Sequence, residues 1–103
     1  MKRIEIGREL GIEIVTREHG RKLRQLVESA LSEPPVVIDF GGLQINSVSF
    51  FDEAFGQMAL HHGEDEINQK IRFEGLDKFD AALLQDIIAS RSREAQKRKR
   101  AAS

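Results

Sequence analysis

The stretch VVIDFGG, Val36 to Gly42, decides the class of fold. Val36, Val37 and Ile38 are β-branched, and no polar side chain interrupts them before Asp39. That is the pattern of a central strand buried on both faces. Phe40 closes the apolar run, and Gly41 and Gly42 release the chain into a loop. Just upstream, Pro34 and Pro35 stop whatever precedes, because the residue before a proline is pushed out of the helical region.

Helical spacing flanks this strand on both sides. Upstream, Leu23, Leu26, Val27, Ala30 and Leu31 fall on one stripe, with Arg17, Arg21, Lys22, Arg24 and Glu28 on the other faces. Thr16 is placed to cap this helix, and Glu18 sits in its first turn, where the dipole favours an acid. Gly20 lies inside it and weakens it slightly. Downstream, Phe50, Phe51, Ala54, Phe55, Met58 and Ala59 form a second stripe, ended by Gly63.

Further out the signals are shorter. Lys2 to Ile6 alternates as a strand, with Ile4 and Ile6 to one side, and Gly7 and Gly11 bracket a turn. Gly11 to Val15 resumes the alternation as a short second strand. After Gly63, residues 63–66 read as a polar loop and Gln69 to Phe73 as a strand. Leu76, Phe79, Leu83, Ile87 and Ile88 then mark a last helix. The order is β(β)αβαβα. Alternating strands and helices predict an α/β fold, one sheet with helices packed against it.

With 103 residues the chain is expected to form one domain. Charge divides it unevenly. Residues 91–103 hold six basic side chains and one acid, which leaves ten basic and sixteen acidic in residues 1–90. The organisation read from this is a domain over 1–90 and a basic tail over 91–103. The tail contains no large apolar residue, so it is expected to add little to stability. A basic tail suits nucleic acid or an acidic partner. The acidic body opposes the first, because nucleic-acid binders usually carry the basic face on the folded domain itself. A nucleic-acid-associated protein is therefore the alternative reading.

Other classes recede on composition. There is no cysteine, hence no disulfide, thiolate nucleophile or thiolate metal site. No apolar run approaches the ~20 residues that cross a bilayer, and the start MKRIEIGREL lacks the apolar core of a signal peptide. A cytoplasmic protein is expected.

Catalysis finds little support. His61 and His62 are adjacent, so on a helix they diverge by about 100° and do not grip one metal as i, i+4 ligands would. They sit where the negative end of a helix favours them. No base can be assigned to Ser47 or Ser49. Gly41-Gly42 lacks the lysine and hydroxyl of a phosphate loop. No enzyme, cofactor or metal is expected.

Ser47 and Ser49 precede a helix that opens Phe50-Phe51-Asp52-Glu53. Ser49 with Asp52 matches a capping box, in which the serine accepts an amide of the first turn and the acid reaches back. That explains one serine as an N-cap. It leaves open why an exposed-looking, glycine-flanked loop stands between the central strand and this helix.

The stretch VVIDFGGLQINSVSFFDEAFG, with TREHGRKLRQLVESAL upstream, resembles the STAS-like domains of unknown function, relatives of the STAS domain of anti-sigma-factor antagonists. Asp39-Phe40, Ser49-Phe50 and Asp52-Glu53 carry the resemblance, which covers most of residues 4–90. It implies a STAS-like sheet with helices mainly on one face. It also implies a non-enzymatic regulatory module that binds another protein, such as a histidine-kinase-type ATPase or an anti-sigma-like regulator. In the antagonists a serine at this helix start is phosphorylated by such an ATPase. The matching residue is Ser49, with Ser47 the alternative. The chain departs from that pattern in having Val48 before the serine and Phe50 after it. The implied reading surface comprises Asp39, Gly41, Gly42, Asn46, Ser47, Ser49, Asp52 and Glu53. The sequence leaves the oligomeric state open.

Overall fold

The computed structural model describes residues 1–11 and 16–102. Val36–Asp39 (β2) is the middle strand of a parallel sheet, with Lys2–Glu5 (β1) on one side and Ile71–Glu74 (β3) on the other. Side chains in register share a face, and faces alternate along a strand. One face takes Lys2, Val36 and Ile71, then Ile4, Ile38 and Phe73. The other takes Arg3, Val37 and Arg72, then Glu5, Asp39 and Glu74. The first face is the floor of the core. Val37 on the second face is also buried, between the exposed Arg3 and Arg72, so the apolar run Val36 to Ile38 is buried throughout, as predicted.

Parallel neighbours need crossover connections, and both are helical. The first contains Ile6–Leu10 (α1) and Arg17–Ala30 (α2). The second is a central helix of three contiguous pieces, Val48–Phe51 (α3), a π-helical Asp52–Gly56 and Gln57–His62 (α4), followed by Glu64–Lys70 (α5). Lys78–Ala102 (α6) ends the chain. Right-handed crossovers that step the same way across a sheet lay their helices on one face. Accordingly, α2 packs against the central helix, and α6, which follows the last strand, packs against it as well.

The stripe of the central helix is the one its spacing predicts: Phe50, Phe51, Ala54, Phe55, Met58 and Ala59 are all fully buried. Phe55 meets Phe73 edge-on at 5.0 Å, and Phe40 meets Phe51 at 6.2 Å, which ties helix to sheet. Thr16 caps α2 as expected, its hydroxyl accepting from the His19 amide at 3.2 Å.

Several shorter elements differ from the reading. Ile6 begins a helix rather than ending a strand, and the residues between Gly7 and Gly11 are helical, closed by Gly11 at φ 91°. Of the second strand expected over Gly11 to Val15, residues 12–15 lie outside the described residues. Residues 64–66 open a helix instead of a loop. Three acids at its start favour the dipole, and Ile67 is its one buried anchor. A single anchor leaves no stripe to read, so the strand expected from Gln69 begins at Ile71.

The last helix is turned by about one position from its predicted face. Leu84 and Ile88 are buried, Leu83 and Ile87 lie at the edge, and Phe79 is 65 % exposed. The residue facing inward in its place is Asp80, at 1 % exposure. At the other end, the helix runs on without a break into the basic stretch. Arg91 and Ser92 of that stretch are tied to the body, through Asp52 and through the Glu64 amide, which donates to Ser92 Oγ.

Gly20, read as a weak point of α2, is buried where α2 crosses the central helix. A Cβ there would stand 2.6 Å from the Phe50 carbonyl oxygen and 3.0 Å from the Glu53 Cβ. Helix propensity alone favours Gly20→Ala by about 1 kcal/mol. The crossing reverses the sign, since forcing atoms into a packed interface costs roughly 1–3 kcal/mol. Urea unfolding is expected to show Gly20→Ala less stable than wild type, whereas an exposed helical control such as Ser29→Ala is not.

Candidate functional site

The loop between β2 and the central helix is built in two steps. First, the end of β2 is fastened to its neighbours. Phe40 donates to the Glu74 carbonyl at 2.8 Å, and Gly42 donates to the Gly75 carbonyl at 3.0 Å. Gly41 and Gly42 adopt φ 61° and 79°, and Gly75 adopts 73°. A Cβ on Gly75 would meet the Gly41 nitrogen at 2.7 Å, so glycine is needed there for space as well as conformation. Asp39 turns its carboxylate back onto this bend. One oxygen accepts from the Gly41 amide and the other from Arg3, both at 2.8 Å. The Gly41 N–H, and then Arg3, hold the Asp39 carboxyl below the usual carboxylate range. Arg3 also reaches Glu74 at 3.0 Å, bridging the outer face of the sheet.

Second, the far half of the loop is held from beneath. Asp80 Oδ2 accepts from the Ile45 amide at 2.7 Å, and Oδ1 accepts from the Asn46 amide at 2.8 Å. Asp80 is itself set in the first turn of α6, where its own amide donates to the capping carboxylate of Asp77 at 2.7 Å. Ile45 is buried and Asn46 takes φ 46°, a left-handed conformation asparagine tolerates better than most residues. Thus Asp80 sets the path of the chain into Ser47.

The helix starts two residues earlier than the capping-box reading has it. Ser47 is the N-cap, its hydroxyl accepting from the Phe50 amide at 3.2 Å. Ser49 lies in the first turn, exposed, and caps nothing. Asp52 does not reach back to it. Its two oxygens instead take a fork from Arg91, at 2.7 and 2.8 Å. Glu53, with its side chain 12 % exposed, is held by Arg17 at 3.0 Å, Arg24 at 3.6 Å and Arg21 at 3.8 Å. Arg24 also donates to the Glu53 main-chain oxygen at 2.8 Å. In this π-helical turn the Gln57 amide bonds to the Asp52 carbonyl, five residues back. A wider turn of this kind interrupts the ordinary ladder. Gly56 lets it close, since a Cβ there would run into the Asp52 carboxylate and Ile87.

The residues proposed as a reading surface therefore separate into two sets. Asp39, Asp52 and Glu53 are engaged by arginines of the same chain, and Ser47 by its own helix. Gly41, Gly42, Asn46 and Ser49 are exposed. Sequence reasoning missed two apolar side chains beside them, Val48 at 59 % exposure and Phe79 at 65 %. A cleft of about 230 Å³ lies between Asn46 and Phe79, and one of about 380 Å³ lies on the other side of the loop at Gly41 and Leu43. Asp80 was also missed. The D-x-x-D spacing of Asp77 and Asp80 was legible as a helix start, but nothing in it tells which way the second acid faces.

The histidines are dispersed. His19 Nδ1 sits 2.8 Å from Thr16 Oγ1, and His62 pairs with Glu66 one turn on. Among the described residues no three ligating side chains converge as a metal site would require. No described helix is long and apolar enough to cross a membrane.

A family model described as a STAS-like domain of unknown function (DUF4325) matches residues 19–81. That span begins in α2 and ends just past Asp80. No curated protein and no solved structure matches the chain.

Asp80→Ala is expected to destabilise the protein by about 2–6 kcal/mol, because it strands two main-chain donors at about 1–3 kcal/mol each. Asp80→Asn, which keeps one acceptor, is expected to fall between. Chemical unfolding of the three proteins checks the order.

Proposed function

The chain belongs to the family of STAS-like domains of unknown function, and we propose that it is a non-enzymatic regulatory module that binds another protein through the loop Gly41 to Ser49 and the first turn of the helix that follows. The observation that carries this reading is Val48. A large apolar side chain stands 59 % exposed on backbone that is fixed below by the buried Asp80 carboxylate. A rigid, protruding apolar residue loses little freedom on binding and makes a good anchor.

The same geometry favours Ser49 over Ser47 as the modified serine. The Ser47 hydroxyl is occupied as the helix cap and half-buried, whereas Ser49 is exposed beside Val48. A phosphate on Ser49 would bring about -1.5 to -2 charges next to the apolar anchor. It would do so without disturbing the cap or refolding the loop. A partner that buries Val48 would then have to desolvate that charge, which opposes binding. The partner that the resemblance suggests is an ATPase of the histidine-kinase type.

The test is calorimetric titration of the chain with a purified ATPase of the histidine-kinase type. Val48→Asp and Ser49→Asp are expected to weaken binding by about tenfold or more, the loss of one interface anchor. Ser49→Ala is expected to bind like wild type, since Ser49 caps nothing. Melting curves of all three should match wild type. Equal affinities across the set would rule the surface out.

A further inference from the structure

One side of α6 is exposed along its whole length. Phe79, Asp86, Arg93 and Arg100 follow one another at intervals of seven residues. A straight helix drifts only about 20° per such step, so they form one line. All four are exposed, while Asp80, Leu84, Ile88 and Ser92 on the opposite side are buried. The line reads apolar, acid, base, base, and it is symmetric about the Ala89–Ser90 bond. If a second α6 runs antiparallel against it, the register that sets Asp86 opposite Arg93 also sets Arg93 opposite Asp86. The same register brings Phe79 opposite Arg100 at both ends.

We propose that two copies of this chain associate through α6, antiparallel about a twofold axis, with reciprocal Asp86–Arg93 ion pairs and the Arg100 guanidinium over the Phe79 ring. Charge complementarity selects this occupant. A basic arm alone would suit any polyanion, but Asp86 in the middle of the line would repel one, whereas a second copy pairs it. Arginine over an aromatic face adds attraction of the cation–π kind. Ala82, Ala89 and Ser90 on the same side leave room for the helices to approach.

This association also gives the basic stretch a place. Lys97 to Arg100 are all exposed at the end of a helix about 37 Å long. In the pair, each arm lies along the first half of the other α6 and covers the exposed Phe79. A closed isologous contact of this kind ends at two copies. It adjoins the proposed partner surface, since Asp86 and Ser90 share a cleft with Val48 and Phe79 shares one with Asn46, but its test needs no partner.

Sedimentation equilibrium of the full chain is expected to show a dimer. Asp86→Arg and Arg93→Asp should each raise its Kd about tenfold or more, because each sets like charges together twice. The double reversal Asp86→Arg/Arg93→Asp should restore the wild-type Kd. These side chains are exposed, so melting of the monomeric variants at low concentration should be unchanged. The natural chain has no cysteine, so Ser90→Cys introduces one thiol beside the axis and should give a covalent dimer on mild oxidation. Glu28→Cys on α2 should not. A wild-type protein that stays monomeric at all concentrations overturns the proposal. So does a dimer that ignores the single reversals, or one that the double reversal fails to restore.

Discussion

The carboxylate of Asp80, buried under a surface loop, is the contact on which the rest of the molecule depends. A buried carboxyl group is tolerated only when its oxygens find hydrogen-bond donors, and here two main-chain amides, Ile45 and Asn46, supply one to each oxygen at 2.7 and 2.8 Å. Its consequences run in three directions. The loop after the central strand takes one path, which delivers Ser47 to the position of a cap. The helix therefore begins at Val48, and its phenylalanines arrive on the sheet. Because Asp80 faces inward, α6 is turned so that Phe79 faces out. One side chain thus joins the last helix to the loop that leads from the central strand into the central helix.

A second set of contacts fixes the helix layer around the π-helical turn. Arg91 of α6 grips Asp52, and Arg17, Arg21 and Arg24 of α2 surround Glu53. The central helix is thus clamped from both neighbours at adjacent residues, and Gly20 and Gly56 let those neighbours come close. These ion pairs join elements far apart in sequence. The Arg91 fork is half-buried and bidentate, the geometry in which such pairs hold position best. With Asp52 and Glu53 engaged internally, the exposed Val48 beside Ser49 stands in a cleft with Asp86, Ser90 and Arg91 of α6.

The parts of the fold that were legible in the sequence are those where many residues repeat one message. The central strand announced itself through Val36, Val37 and Ile38, and the central helix through six apolar residues at helical spacing, all of them buried. Short elements carried too few residues to be read. The helix at Glu64–Lys70 has one apolar anchor, and that at Ile6–Leu10 is bounded by glycines that read equally well as a turn. Ser49 was mistaken for the cap because Phe50 and Phe51 looked like the first helical residues, whereas Val48 and Ser49 already belong to the first turn. Asp80 was invisible for a deeper reason. An acid in the first turn of a helix is ordinarily solvated, and only the fold reveals two amides waiting for it. Phe79 went wrong with it, since the same rotation moves both.

Amide hydrogen exchange at Ile45 and Asn46 tests the role of Asp80 most directly. Both amides lie in a surface loop without regular secondary structure, where exchange is ordinarily fast. If the Asp80 carboxylate holds them, they will exchange slowly, close to the rates of the Ile38 and Phe51 amides, and will speed up in Asp80→Asn. If they exchange as fast as an exposed loop amide such as Gln44 in the wild-type protein, the loop is not held from below and the account fails.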